Sequence, residues 1–299
     1  MGIWIWLLAL LAVFNIKNIP FSWSVRFFRA LGCGMLLHRK AKAIFKPHHV
    51  FLPAVSTTRS PLMEIDFNLH KSNSTFFTDL DVSRAYLSGV LLGPLFLHGI
   101  DGQRCNMIVG NVACSFRREI KPYRPYETWT RIASWDEKWI YMVTHFVEKR
   151  TDRPARCALL PETKTVLDEK PTVSEGQKGD RIVFASAVTQ FVCKKGRMTV
   201  PPARALAECG LIQVEKQRDE GLDLDSLRND PSLMPQSRVS SAGRSKGSPA
   251  EDLNSYLPRD LEMVRAINMP VVRLIEGWDR VHALFCEDEG VLGLHRDVI

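Results

Sequence analysis

The pattern of apolar and polar positions along the chain changes character several times, and each change marks an expected element. Pro61-Leu-Met-Glu-Ile-Asp66 reads as a short strand. From Asn73 to Leu92 the apolar positions Phe76, Leu80, Leu87 and Leu91 recur at helical spacing and predict one buried stripe. Thr78 and Asp81 fit a capping box, with Asn73 or Ser74 as caps one turn earlier, and Gly89 and Gly93-Pro94 close the segment. Strand-like runs follow at Asn106–Phe116, Tyr126–Trp135, Trp139–Val147 and Arg181–Cys193, rich in β-branched and aromatic residues. Asp136-Glu137-Lys138 makes a tight polar connection between the second and third of these. One strand, one long helix and then consecutive antiparallel strands predict an α+β layout in which a sheet wraps a central helix.

The rest of the chain departs from this pattern. Ile3–Phe14 is continuously apolar but spans only about 18 Å as a helix, against roughly 30 Å of bilayer hydrocarbon. Phe21–Phe45 mixes aromatics and leucines with arginines and lysines, as an amphipathic segment on an anionic membrane surface does. Residues 1–50 are therefore read as a membrane arm, with a buried first helix of the domain as the alternative, residues 51–214 as the main domain and 150–180 as an insertion within it. Residues 215–255, rich in charge, Ser, Gly and Pro, read as a flexible linker or loop. In residues 256–299 the positions Leu261, Val264, Val271, Ile275, Trp278 and Phe285 mark an amphipathic helical region bent at Pro270, with core packing the favoured role.

Charge sharpens this division. The net charge is +7, yet no acidic residue precedes Glu64, and the eight basic residues before it leave 32 basic against 33 acidic side chains in the remainder. A basic arm on a neutral body argues against nucleic acid and for an anionic membrane, with the body on the cytosolic side. Seven scattered cysteines without a C-x-x-C pair point to core thiols in a reducing compartment, not to zinc or a disulfide framework. No glycine-rich phosphate-binding motif or repeated β–α alternation supports a nucleotide fold, no cofactor is expected, and Ser72, Ser74 and Ser83 lack a G-x-S-x-G context.

The chemistry gathers at Glu64-Ile-Asp66-Phe-Asn-Leu-His70-Lys-Ser-Asn73. A carboxylate ending an apolar strand, flanked by Leu62, Ile65 and Phe67 and facing the same side as Glu64, is placed to act as a base or nucleophile. The amino-terminal turn of the next helix offers peptide N–H groups to an oxyanion, and His70 or Asn73 could orient water. Turn and cap hydrogen bonds are the plainer roles for Asp66, His70 and Asn73. Arg117, Arg118 and Lys121, with Lys194, Lys195 and Arg197, are candidates for phosphate contacts, and His145 reads as a core or dimer-interface residue.

This segment resembles the opening of hotdog-fold acyl-CoA thioesterases of the 4-hydroxybenzoyl-CoA type, and within them the subgroup containing thioesterase superfamily member six and its fungal relatives. Those enzymes carry D-x-D or E-x-D before the central helix with the second acid catalytic. The resemblance thus implies a catalytic Asp66, and the subgroup's His and Asn fall on His70 and Asn73. It covers about residues 60–200, with Met198-Thr-Val-Pro-Pro202 a matching exit from the last strand. Phe67-Asn68-Leu69 stands where the benzoyl-type enzymes have Pro-Ala-Gly, in the loop that shapes the acyl pocket. What the resemblance implies is a hotdog fold, a homodimer or higher assembly, and hydrolysis of fatty or polyketide acyl thioesters on CoA or carrier protein. A non-catalytic acyl-binding or scaffolding protein is the alternative. A hotdog dehydratase is a third reading, without a supporting His-Asp pair.

Overall fold

The computed structural model describes residues 2–41, 44–150, 157–159, 181–212, 258–285 and 290–297. The linker expected at 215–255, and the insertion at 150–180 apart from Arg150 and residues 157–159, lie outside the described residues. Helix α1 spans Gly2–Phe14 and α2 spans Ser22–Ala41. Strand β1 (Ala54–Arg59) then leads to the long α3 (Asn73–Leu97). The strands β2 (Cys105–Phe116), β3 (Pro125–Trp135), β4 (Ile140–Glu148) and β5 (Val183–Lys195) follow, with β6 (Met198–Val200) and α4 (Pro202–Glu208) after them. Helices α5 (Pro258–Val272) and α6 (Gly277–Ala283) and strand β7 (Gly293–Arg296) complete the described elements. The strands form one sheet in the order β2-β5-β4-β3-β1-β7, with β6 paired to β5, and α3 packs against it as the central helix of a hotdog fold.

The four strands read after the helix agree with β2 to β5 to within two or three residues. Strand alternation separates the two faces of the sheet. Ile140 and Met142 of β4 join the core around α3, whereas Tyr141 and Val143 pack with Val271, Val272 and Val281 of the C-terminal helices. The core role expected for this region thus holds for Leu261 and Val271, although Ile275 is exposed. Two features differ from expectation. The region ends in a strand, β7, not in helix, and β7 runs parallel to β1, so the sheet is mixed instead of wholly antiparallel. The expected strand at 61–66 lies one element earlier, at 54–59, and Leu62–Glu64 forms a single 3₁₀ turn. Pro61 has no N–H to give a ladder, which favours the break at that point.

Helix α3 also runs further than Gly93-Pro94 suggested. A proline inside a helix leaves the carbonyl four residues earlier without its donor. That carbonyl belongs to Val90, and the His38 ring Nδ1–H of α2 donates to it at 2.7 Å. Ser72, not Thr78, Asn73 or Ser74, occupies the N-cap position.

Helix α2 corrects the reading of residues 1–50 as an arm apart from the domain. It buries Ser22, Arg26, Ala30, Gly34, His38 and Ala41, a stripe of small and polar residues at helical spacing. Its Val25, Phe28 and Leu36 face outward. Contact with α3 is made through glycines: a Cβ on Gly34 would stand 2.4 Å from the Tyr86 carbonyl oxygen, and one on Gly89 would stand 2.4 Å from that of Leu31. Both clashes are with backbone, which cannot rotate away. Gly34→Ala and Gly89→Ala should each destabilise the protein by about 1–3 kcal/mol, measurable as a lowered denaturation midpoint; Gly32→Ala, with open space around its Cβ, serves as the control and should stabilise by about 0.5–1 kcal/mol.

Candidate active site

The sequence from β1 into α3 folds as a turn on a charged base. After the 3₁₀ turn, Ile65 and Lys71 form an isolated antiparallel bridge, and the Ser72 N–H donates to the Glu64 carbonyl at 2.8 Å. Residues 66–70 project from this bridge as a tight loop. The Asp66 N–H donates to the His70 carbonyl at 2.9 Å, and Asp66 Oδ1 accepts the Asn68 N–H at 2.9 Å and the His70 N–H at 3.4 Å. Leu69 is held at φ 63°, a left-handed conformation unusual for a leucine. Asp66 is half-buried, and Phe67 and Leu69 beside it are 93% and 72% exposed. The apolar enclosure expected around Asp66 is therefore not supplied by Leu62 and Phe67, both of which face outward.

The structure brings Asp66 and His70 together through the loop backbone, while the His70 ring turns to Glu119, with Nε2 3.3 Å from Oε2. Asn73 opens α3 and is exposed. All three sites thus sit at the amino end of the central helix, where peptide N–H groups and the helix dipole favour negative charge. The two basic groups separate: Arg117, Arg118 and Lys121 follow the end of β2 near Glu119, whereas Lys194, Lys195 and Arg197 lie at the other end of the β2–β5 ladder. Eleven residues of strand at about 3.3 Å each put roughly 35 Å between them. Lys195 is held by Asp101 at 2.7 Å, and Arg204 meets the same carboxylate at 2.9 Å. Ser83 bonds Thr130 in the core at 2.6 Å, and the buried His145 bonds Ser186 at 2.8 Å, a core role as expected.

Glu64 does not share a face with Asp66. Its carboxylate turns inward to a buried cluster that the sequence reading missed. Lys17 Nζ lies 2.9 Å from Glu64 Oε1 and 2.7 Å from Asp79 Oδ1; Lys71 Nζ lies 2.9 Å from Asp79 Oδ2 and also bonds Glu64. Arg26 lies 2.7 Å from Asp79 and bonds Asp297 beyond β7, and the Tyr126 hydroxyl donates to Asp79. Three cations and three carboxylates thus compensate one another with side chains at most 2% exposed. Burial by itself raises a carboxyl pKa, but Lys17, Lys71 and Arg26 overcome this and hold Asp79 well below the usual range. Burial lowers the Lys17 ammonium, with Asp79 and Glu64 opposing. The one legible hint was Asp79 itself, an acid within the apolar stripe beside Phe76 and Leu80.

With this geometry in view, the class is an α+β hotdog domain that presents a carboxylate at the amino end of its central helix. Residues 60–216 match the thioesterase-like superfamily, and the chain belongs to that family. It is 35% identical over 217 residues to thioesterase poxG of Penicillium oxalicum, covering 68% of this chain and 69% of poxG. The probable thioesterase atnL of Emericella nidulans is 34% identical over 229 residues, covering 69% of this chain and 71% of atnL. Thioesterase lcsJ of Purpureocillium lilacinum is 30% identical over 264 residues, covering 75% of this chain and 77% of lcsJ.

The charge cluster makes a stability prediction. Asp79→Asn leaves Lys17, Arg26 and Lys71 buried with too little negative charge and should cost about 3–5 kcal/mol, read by denaturant unfolding. Because Asp79 is depressed in the folded state, its stabilisation is complete above the ordinary carboxyl value of 3.8 and is lost only as pH falls through the lower folded value. Wild-type melting temperature should carry this contribution undiminished from pH 7 to about 4 and lose it below that; in Asp79→Asn the acid-side loss should be smaller.

Proposed function

We propose that this protein is a membrane-associated acyl thioesterase acting on CoA- or carrier-bound acyl thioesters, with Asp66 as its reactive carboxylate. The observation that carries the reading is the Asp66 loop at the amino end of α3 in a thioesterase-superfamily chain. Acting as nucleophile, the Asp66 carboxylate adds to the thioester carbonyl. The tetrahedral oxyanion then collapses, the C–S bond breaks, and the thiolate leaves and takes a proton from solvent. Water hydrolyses the resulting mixed anhydride to the free acid and restores Asp66. Acting as base, Asp66 instead takes the proton of a water whose oxygen adds to the carbonyl, and that proton ends on the departing sulfur. Either way the amino-terminal peptide N–H groups of α3 are the natural stabilisers of the oxyanion. His70, steered by Glu119, and Asn73 flank the approach and would orient water or the acyl carbonyl.

Two further parts of the reading concern surroundings. The edge strand β2 exposes Ile108, Val109 and Phe116, and an edge of twelve residues that has no further strand beside it among the described residues favours pairing with a second copy, hence a homodimer or higher assembly. Helix α1 exposes Trp4, Trp6, Leu7, Leu10 and Leu11, and α2 also exposes Val25, Phe28 and Leu36. Thirteen helical residues rise only about 20 Å, which suits insertion into one leaflet, with the body on the cytosolic face.

Asp66→Asn should lower thiol release from acyl-CoA by about 10²–10⁴-fold with little change in melting temperature, because the mapped hydrogen bonds of its carboxylate go only to peptide N–H groups within its own loop. An Asp66→Asn variant as fast as wild type would eliminate the mechanism, and a wild type inactive across an acyl-CoA panel would favour the acyl-binding alternative. For the membrane, Trp4→Ser combined with Trp6→Ser should weaken binding to phosphatidylserine-containing vesicles by about tenfold or more, read by co-sedimentation. Undiminished sedimentation of the double variant would remove α1 from the membrane reading.

A further inference from the structure

The root of the N-terminal helix reaches the base of the Asp66 loop through directed hydrogen bonds. The buried Asn15, directly after α1, accepts the Met63 N–H on Oδ1 at 2.9 Å, while its Nδ2 donates to the Leu11 carbonyl at 2.9 Å. Two residues on, Lys17 donates to the Arg59 carbonyl at 3.0 Å, at the end of β1, and meets the Glu64 carboxylate. Glu64 also receives Lys71, the residue that closes the loop on its other side. The loop of residues 65–70 is thus suspended between two side chains, Glu64 and Lys71, that share one buried anchor, and Asn15 and Lys17 set where that anchor stands. Asp66 itself bonds only peptide groups of its own loop. The loop is tied outward at its base, by the Ser72 N–H on the Glu64 carbonyl and the Lys71 N–H on the Ile120 carbonyl, and at the His70 ring, which meets Glu119, so a shift of the Glu64 anchor is carried into the loop.

We propose that Asn15 and Lys17 are positioning residues for the Asp66 loop, making the root of the apolar helix part of the catalytic apparatus and not an anchor alone. This rests on the reading of Asp66 as the reactive carboxylate. Misplacement of a reacting group by about 1 Å can cost on the order of 10²-fold in rate, and Asn15 holds the backbone three residues before Asp66. Lys17 acts one step further away, through Glu64.

The test uses the full-length protein in detergent micelles, with thiol release from a panel of straight-chain acyl-CoAs and kcat expressed per folded molecule. Asn15→Ala should lower kcat about 10- to 100-fold with KM nearly unchanged. Asn15→Asp, which keeps the acceptor for the Met63 N–H, should recover most of it. Lys17→Met should lower kcat in the same way and also lower the melting temperature, because it uncompensates Glu64 and Asp79. A merely structural role would reduce the folded fraction and leave kcat per folded molecule intact, and that result for Asn15→Ala would overturn the proposal even if Lys17→Met fails to fold. Loss of activity in Asp66→Asn beside a fully active Asn15→Ala overturns the positioning role alone. A wild type inactive across the panel, or an Asp66→Asn variant as fast as wild type, overturns both.

Discussion

The buried charge cluster of Lys17, Arg26, Lys71, Glu64, Asp79 and Asp297 is the interaction on which the rest of this structure depends. It joins three parts of the chain far apart in sequence: Lys17 and Arg26 near its start, Glu64, Lys71 and Asp79 from the turn after β1 into α3, and Asp297 following β7. Removing such charges from water costs several kcal/mol each, and their mutual attraction offsets this only if every member is matched. Three against three, with Tyr126 and Ser60 donating to the carboxylates, meets that condition. A packing that displaced any one of these elements would strand a charge in the interior, so the cluster discriminates against alternative arrangements more than it adds net stability.

The same cluster explains why α2 belongs to the domain. Its inward stripe is Ser22, Arg26, Ala30, Gly34, His38 and Ala41, and three of these make specific contacts with α3. Arg26 supplies charge, the Gly34–Gly89 crossing lets two backbones touch, and His38 replaces the donor that Pro94 lacks. Close helix contact through small residues leaves the larger apolar side chains Val25, Phe28 and Leu36 on the outside. Phe27, Leu31, Cys33 and Leu37 pack against the core as well, so α2 meets the domain through a mixed face of small, polar and apolar residues while part of its apolar surface stays outside.

On the far side of the sheet, the C-terminal helices cover Ala133, Tyr141, Val143 and Val188. Arg265 donates to the Trp135 carbonyl at 2.9 Å and Asn268 to that of Ala133 at 3.0 Å, which ties α5 to the end of β3. Strand β7 then extends the sheet beyond β1, bringing Asp297 to Arg26. With one face under α3 and the other under α5 and α6, β3 and β4 are buried almost throughout. The Asp66 loop remains outside this doubly covered region, and Phe67 and Leu69 on it are exposed.

What the sequence determined by itself were the features set by short-range periodicity. Strands β2 to β5 were legible from alternation and β-branched content, and the stripe Phe76, Leu80, Leu87 and Leu91 marked α3, because burial of one face imposes those periods directly. Asp66, His70 and Asn73 stood out because carboxylate, imidazole and amide fall at a strand–helix junction within eight residues. What only the tertiary structure decided rests on partners distant in sequence. Pro94 reads as a helix stop until His38 is seen to fill the gap it leaves. Glu64 reads as a neighbour of Asp66 until Lys17 and Lys71 draw it inward. Residues 22–41 read as a surface segment by hydropathy, since hydropathy registers which residues are apolar and not which backbones must come within contact distance. A short parallel strand such as β7 has no local signature at all, because its hydrogen bonds go to β1, some 240 residues earlier in the chain.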